Sequence, residues 1–232
     1  MLREIVFDTE TTGLDAANGD RLIEIGCIEI VNRIPTGREF HRYLNPDRQV
    51  HPDAVAVHGI TSDFLQDKPR FAEVVDELLA FIAEAPLVAH NGMFDLGFIN
   101  AELERVSRPP VPANRIVDTL ALARRRHPAG PNTLDALCKR YGIDLSQRTK
   151  HGALLDSMLL ASVYVELLGE RQAALVFGGN GAAGVARAQA VQAIRRPEPL
   201  PPLLSPEEEA AHLEFVKTLG GEPMWLQYLG GA

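Results

Sequence analysis

The chain has little cysteine. Cys27 and Cys138 are its two thiols among 232 residues, and no C-x-x-C pair occurs, which excludes a disulfide framework and a cysteine-rich zinc site. Both read as buried thiols of a reducing compartment. Long apolar runs are also missing. Nothing approaches the ~18 residues of a membrane span, and Met1-Leu2-Arg3-Glu4 enters a β-rich segment without the layout of a signal peptide. A cytoplasmic protein with no membrane partner is expected. Finally, positive charge is scarce: 23 Lys and Arg stand against 31 Asp and Glu, a net charge of −8. A protein that grips nucleic acid unaided usually shows a basic face, because phosphate neutralisation supplies most non-specific affinity. This chain therefore either binds no nucleic acid or binds it locally, with metals or a partner holding the substrate. The rest is ordinary for a globular chain, 46% hydrophobic and 23% charged, long enough for one domain or one domain with an appendage.

The first 168 residues alternate between strand-like and helix-like patterns. Glu4–Asp8, Leu22–Val31 and Arg38–Leu44 are β-rich, the second with apolar alternation at Ile23, Ile25, Cys27 and Ile30 and one slip. Phe71, Val74, Val75, Leu78, Leu79 and Ile82 recur at helical spacing over Phe71–Glu84. Leu87–His90 reads as a short strand, Phe94–Val106 as a helix stopped by Ser107 and Pro109-Pro110, and Ile116–Asp118 as another strand. Thr133–Tyr141 and Gly152–Leu168 read as helices, the latter with Leu155, Met158, Leu159, Ser162 and Val165 inward. The order β-β-β-α-β-α-β-α-α implies an α/β architecture, a mixed sheet flanked by helices.

Beyond Leu168 the composition shifts. Gly178–Gly184 is rich in Gly and Ala, and five prolines fall within Pro197–Pro206, the pattern of a linker that stiffens along its length. A last helix follows. Ser205 suits the N-cap, Pro206 the first helical position and Glu208 the reciprocal member of a capping box, with Gly220-Gly221 ending it. An apolar stretch, Met224-Trp225-Leu226 and Tyr228-Leu229, comes after.

Three segments carry candidate chemistry. In Asp8-Thr9-Glu10, residues two apart on a strand share a face, so two carboxylates project together, an arrangement that costs free energy unless a cation neutralises it. Alone, the pair also fits a solvent-facing acidic patch. In His90-Asn91-Gly92-Met93-Phe94-Asp95, the aspartate falls in the first turn of a helix, where an acid also simply stabilises the dipole. In His151-Gly152-Ala153-Leu154-Leu155-Asp156, an offset of five turns a helix by about 500°, so the two side chains cannot share a helical face. His151 then belongs to the loop before the helix and Asp156 to the helix itself. Together, four carboxylates and one loop histidine form a hard, oxygen-rich site that suits Mg²⁺ or Mn²⁺ better than zinc. Paired hard cations serve in-line attack on a phosphodiester.

Asp8-Thr9-Glu10-Thr11-Thr12-Gly13-Leu14, His90 to Asp95 and His151 to Asp156 together resemble the three motifs of the DEDDh exonuclease family, and the resemblance runs from residue 3 to about 177, through Val57-His58-Gly59-Ile60-Thr61. It implies a ribonuclease H-like fold over residues 1–170 and a 3′→5′ exonuclease that removes mispaired 3′-terminal nucleotides from DNA. It also implies two divalent cations, Mg²⁺ or Mn²⁺, held by Asp8, Glu10, Asp95 and Asp156, with His151 as general base. Leu14 is similar to a family residue that packs on the terminal bases, and His58, with Asp53 a poorer match, to residues that touch the terminal nucleotide. His90 reads as structural. A DEDDh exoribonuclease, or a stand-alone single-strand exonuclease, shares these motifs. A reading of another class is a non-catalytic bridge between clamp and polymerase, against which all five catalytic residue types stand in place.

Gln172-Ala173-Ala174-Leu175-Val176-Phe177, within 171–178, is similar to the peptides that dock on a bacterial sliding clamp, although Leu175 and Phe177 also fit packing at a domain edge. Residues 179–204 form the linker. Residues 205–232, with Trp225, resemble the tail by which proofreading members of the family attach to the catalytic subunit of a replicative polymerase. A short helix past a proline linker buries little alone, so it either meets a partner or folds back. The resemblance also leaves room for a small accessory subunit, and places the protein in the bacterial cytoplasm, at the nucleoid during replication.

Overall fold

The computed structural model describes residues 2–148, 150–169 and 205–218, which fall into two units, one within residues 2–169 and one within 205–218. The first unit holds a five-stranded mixed sheet. Strand β1 (Arg3–Thr11) pairs antiparallel with β2 (Leu22–Val31), which pairs antiparallel with β3 (Ile34–Tyr43); on its other side β1 runs parallel to β4 (Leu87–Ala89), and β4 to β5 (Ile116–Asp118). The order across the sheet is β3-β2-β1-β4-β5, which puts the first acidic motif on the central strand.

β1 is longer than its apolar core predicts. It continues through Asp8 and Glu10 to Thr11, because β2 keeps pairing with it as far as Leu22. The acidic pair therefore sits within the strand. Side chains alternate across β1. Ile5 and Phe7 face a core shared with α3 (Phe71–Ile82) and α4 (Gly92–Arg105), whereas Val6 faces the opposite side with Leu160, Ala161 and Tyr164 of α7 (Ala153–Leu168). By the same alternation Asp8 and Glu10 belong to the α7 side and Thr9 to the α4 side. Arg21 ties α4 to the start of β2 through a forked pair with the buried Glu102, at 2.5 and 2.8 Å.

On α7 the inward residues differ from those expected. Met158 is exposed, and Leu155, Ser162 and Val165 are only partly buried. Leu160, Ala161 and Tyr164 face the sheet, while Leu159, Val163 and Leu167 pack with Leu137 and Cys138 of α6 (Leu134–Tyr141) and Ala123 of α5 (Thr119–Arg126). A helix covered on two sides is apolar nearly all round, and such a pattern does not reveal one inward face. Three short helices went unassigned from the sequence: α1 (Pro52–His58), α2 (Ser62–Leu65) and α5. Each is eight residues or fewer, a length at which packing rather than local preference stabilises a helix. Both cysteines are buried and free, as expected.

Close approach of α7 to the sheet depends on Gly26. It pairs with Asp8 across the β1–β2 ladder, and a Cβ there would lie 2.3 Å from the backbone nitrogen of Leu154 and 2.4 Å from the carbonyl carbon of Ala153. Ser157 Oγ donates to the Gly26 carbonyl at 2.9 Å from the same helix. Gly26→Ala must push the first turn of α7 off the sheet. It should cost roughly 1–3 kcal/mol, read as a lower Tm, and reduce cleavage further than the stability loss explains, because Asp156 moves with the helix.

In the second unit, α8 (Pro206–Lys217) starts as its sequence predicts: Ser205 accepts from the Glu208 amide at 3.2 Å, and Glu208 accepts from the Ser205 amide at 2.8 Å. Gln172, Leu175, Phe177, Trp225, both linker stretches and the apolar stretch around Met224 lie outside the described residues.

Candidate active site

Asp8, Glu10, Asp95, Asp156 and His151 reach one cleft from separate parts of the fold. β1 delivers Asp8 and Glu10 toward α7. Asp156 comes from the first turn of α7, where its amide donates to the Gly152 carbonyl at 2.9 Å. Gly152 lies just outside the helix, so His151 stands in the preceding connection with 47% of its side chain exposed, while Asp156 is 2% exposed. Asp95 reaches the cleft from the other face of the sheet. β4 stops at Ala89, and Asn91 turns the chain with left-handed backbone (φ 66°, ψ 43°), an asparagine-tolerant conformation, as its amide donates to Asp118 Oδ1 at 2.9 Å. This starts α4 early, at Gly92, and places Asp95 where Thr9 Oγ1 donates to its Oδ1 at 2.6 Å. Thr9, the middle residue of the first motif, thus anchors the second. Thr9→Val should leave the fold intact but lower cleavage about tenfold, with an unchanged melting profile separating the lost anchor from unfolding.

The result is a cleft of about 570 Å³ lined by Asp8, Glu10, Asp95, Asp156 and His151 together with Phe94, Arg124 and Arg148. Glu10, His151 and Asp156 each present a ligand atom within 4.8 Å of the others. Burial and crowding disfavour negative charge here. Asp8 keeps some surface open to the cleft, yet its carboxyl is pushed well above the usual range, first by lost hydration, then by Asp95, Glu10, Asp156 and Glu24. Glu10 rises to about 8, through burial and then the charges of Glu24, Asp156 and Asp95. Burial lifts Asp95 to about 7 against the opposing hydrogen bond from Thr9. Carboxylates forced together in this way are what a multivalent cation would relieve, and the donors are oxygen atoms with one imidazole nitrogen, so the residues present fit hard divalent ions. His151 is held below its ordinary value by burial and by Arg148, which keeps the ring neutral at pH 7 and able to accept a proton.

Leu14, Asp53 and His58 are brought together as well, but in an adjoining hollow of about 490 Å³ that shares Thr9, Glu10 and Phe94 with the cleft. Leu14 is 84% exposed at its edge. His58 is buried, with Nδ1 accepting from the Ile60 amide at 3.0 Å. His90 lies in the wall of the cleft, its Nδ1 2.9 Å from Thr119 Oγ1, in keeping with a structural part. Reading the sequence missed Phe94, which borders both hollows, and the two arginines. Phe94 was visible only as a helix-start residue of the second motif. Arg124 and Arg148 supply positive charge inside a chain that is acidic overall.

The exonuclease family profile matches residues 5–164. The chain is 45% identical over 236 aligned positions to the DNA polymerase III subunit epsilon of Salmonella typhimurium, covering 96% of this chain and 97% of that protein. It is 44% identical to its counterpart in Escherichia coli K12 over the same shares. The counterpart in Rickettsia felis is 50% identical over 176 positions, 75% of this chain and 77% of that one. Among solved structures, exonuclease X in complex with 5′-overhanging duplex DNA superposes with a TM-score of 0.55 at 26% identity, covering 73% of this chain and 92% of that one. Escherichia coli exonuclease I in complex with a dT13 oligonucleotide shares the fold, with a TM-score of 0.63 at 20% identity over 74% of this chain and 42% of that one. The chain belongs to the exonuclease family and, within it, to the DNA polymerase III epsilon subunits, which are 3′→5′ proofreading exonucleases.

Proposed function

We propose that the proofreading activity of this chain resides in Asp8, Glu10, Asp95, Asp156 and His151, acting on the 3′ end of DNA. The supporting observation is the convergence of Glu10, Asp156 and His151 ligand atoms within 4.8 Å, in a cleft that also holds Asp8 and Asp95. Asp8, Glu10, Asp95 and Asp156 would hold two divalent cations, Mg²⁺ or Mn²⁺, which when bound stabilise the attacking and leaving oxygens of an in-line displacement. His151, neutral and half-exposed at the rim, takes the proton of the attacking water. The bond from phosphorus to the 3′ oxygen of the penultimate nucleotide breaks, and a nucleoside 5′-monophosphate leaves. Leu14, Phe94, His58 and Asp53 receive the terminal nucleotide in the adjoining hollow, where the exposed Leu14 and the Phe94 ring offer apolar surface to a base.

The partner reading concerns the C-terminal part. Gln172, Leu175 and Phe177 dock on the sliding clamp, and residues 205–232, with Trp225, bind the polymerase catalytic subunit. The capped helix α8 supports this, since it leaves Phe215 60% exposed. The subunit works in the bacterial cytoplasm, at the nucleoid during replication. No described helix is long and apolar enough to cross a membrane.

A primer with a mispaired 3′ nucleotide, made once in DNA and once in RNA and titrated with Mg²⁺, Mn²⁺ or EDTA, tests the chemistry. Release of 5′-monophosphates from DNA only with metal is expected. Equal trimming of the RNA primer would shift the reading to an exoribonuclease, and no cleavage with either would leave a bridging subunit. Truncation after residue 196 should keep cleavage of free single strands and abolish co-purification with polymerase.

A further inference from the structure

Arg148 is one of two arginines lining the cleft. Its side chain is 7% exposed, and its guanidinium holds both oxygens of Asp156, with Nε 2.5 Å from Oδ1 and Nη2 2.7 Å from Oδ2. The same Nη2 lies 3.0 Å from Nδ1 of His151, and Nη1 lies 2.6 Å from Oδ1 of Asp135. A guanidinium carries five donors and no acceptor, and it does not lose its proton in proteins. The imidazole nitrogen facing it must therefore present a lone pair, and that lone pair is engaged. One side chain thus occupies two groups that the reaction needs, the Asp156 carboxylate and a ring nitrogen of His151.

We propose that Arg148 competes with divalent cations for Asp156. Three features carry this. Asp156 is 3% exposed on its side chain, so a buried carboxylate would lose its bidentate partner without Arg148. Asp135, at the start of α6, is half-exposed and already holds one end of the guanidinium, so Arg148 keeps a carboxylate partner after it gives up Asp156. The same Nη2 makes the contacts to Asp156 and to His151, so movement of this one guanidinium releases both. Arg148 is a positioning residue in this account: it sets the charge and hydrogen bonding of Asp156 and His151.

The inference rests on the divalent-cation reading above, and the test separates the two. Mn²⁺ binding to the full chain is measured by titration calorimetry for wild type, Arg148→Met and Arg148→Lys, with thermal melts in EDTA. Removing a competing positive charge should tighten Mn²⁺ binding about tenfold in Arg148→Met while lowering the metal-free Tm, with Arg148→Lys between. A residue that merely supports the fold would weaken metal binding when removed. Unchanged or weaker Mn²⁺ binding by a folded Arg148→Met, alongside normal binding by wild type, overturns this inference alone. If Arg148→Met does not fold, Arg148→Lys decides on the same criterion. Failure of the wild type to bind Mn²⁺ overturns the cation reading and this inference with it.

Discussion

Asp8→Ala should melt at a higher temperature than the wild type in metal-free buffer and yet cleave DNA on the order of 10³-fold more slowly, or worse. Both effects come from the same carboxylate. Asp8 stands on the central strand, deprived of hydration and surrounded by Asp95, Glu10, Asp156 and Glu24, all of which raise the cost of its charge. Removing it relieves that repulsion and leaves the packing of Ile5, Val6 and Phe7 on either face of β1 untouched. The reaction, by contrast, loses a carboxylate next to Glu10 that no neighbour on the same face of β1 can replace. Stability from melts and rates on a mispaired primer are the paired measurements. A folded variant with full activity would remove the acidic cleft from the chemistry. A variant that melts well below wild type would mean that Asp8 supports the fold more than it strains it.

The second large effect is a stability that depends on pH in opposite senses with and without metal. Glu10 titrates at about 8 in the fold against 4.5 without it, and Asp95 at about 7 against 3.8. Between these values the folded state holds protons that the unfolded chain has released, so stability falls as pH rises through roughly 4.5 to 8. His58, His90, His127 and His151 are all held below their ordinary value, and they pull the other way as pH rises to about 6.5. The decline should therefore show mainly above pH 6.5. A Tm in EDTA lower by roughly 5–10 °C at pH 8.5 than at pH 6.5 is expected. Saturating Mn²⁺ should abolish or reverse the difference, because a bound cation favours the ionised carboxylates. Glu10→Gln should flatten the EDTA profile. A profile in EDTA that stays level, or rises to pH 8.5, would show that the carboxylates are compensated without metal.

Much of this was legible in the residues. Leu22–Val31 and Ile116–Asp118 were bounded correctly from pattern alone. The capping box of α8 followed from side chains whose role is local. Elements whose length depends on a partner were less legible. β3 begins at Ile34, four residues before its expected start, because β2 continues to pair with it. α1, which carries Asp53 and His58, starts from His51 and Pro52 and exists because Val50, Ile60 and Leu65 bury against Ile23 beside it.

The sequence alone determined the shared face of Asp8 and Glu10 and the loop and helix places of His151 and Asp156, because strand alternation and a five-residue offset are properties of local backbone geometry. Only the tertiary structure decided how they meet. Asp95 arrives from the face opposite α7 and is held by Thr9 across 86 positions of chain. Phe94 borders both the cleft and the hollow of Leu14 and His58. Arg148, a loop residue, pairs with Asp156 and His151. Such contacts join segments far apart in the chain or depend on the path of a loop, and periodicity carries no record of either.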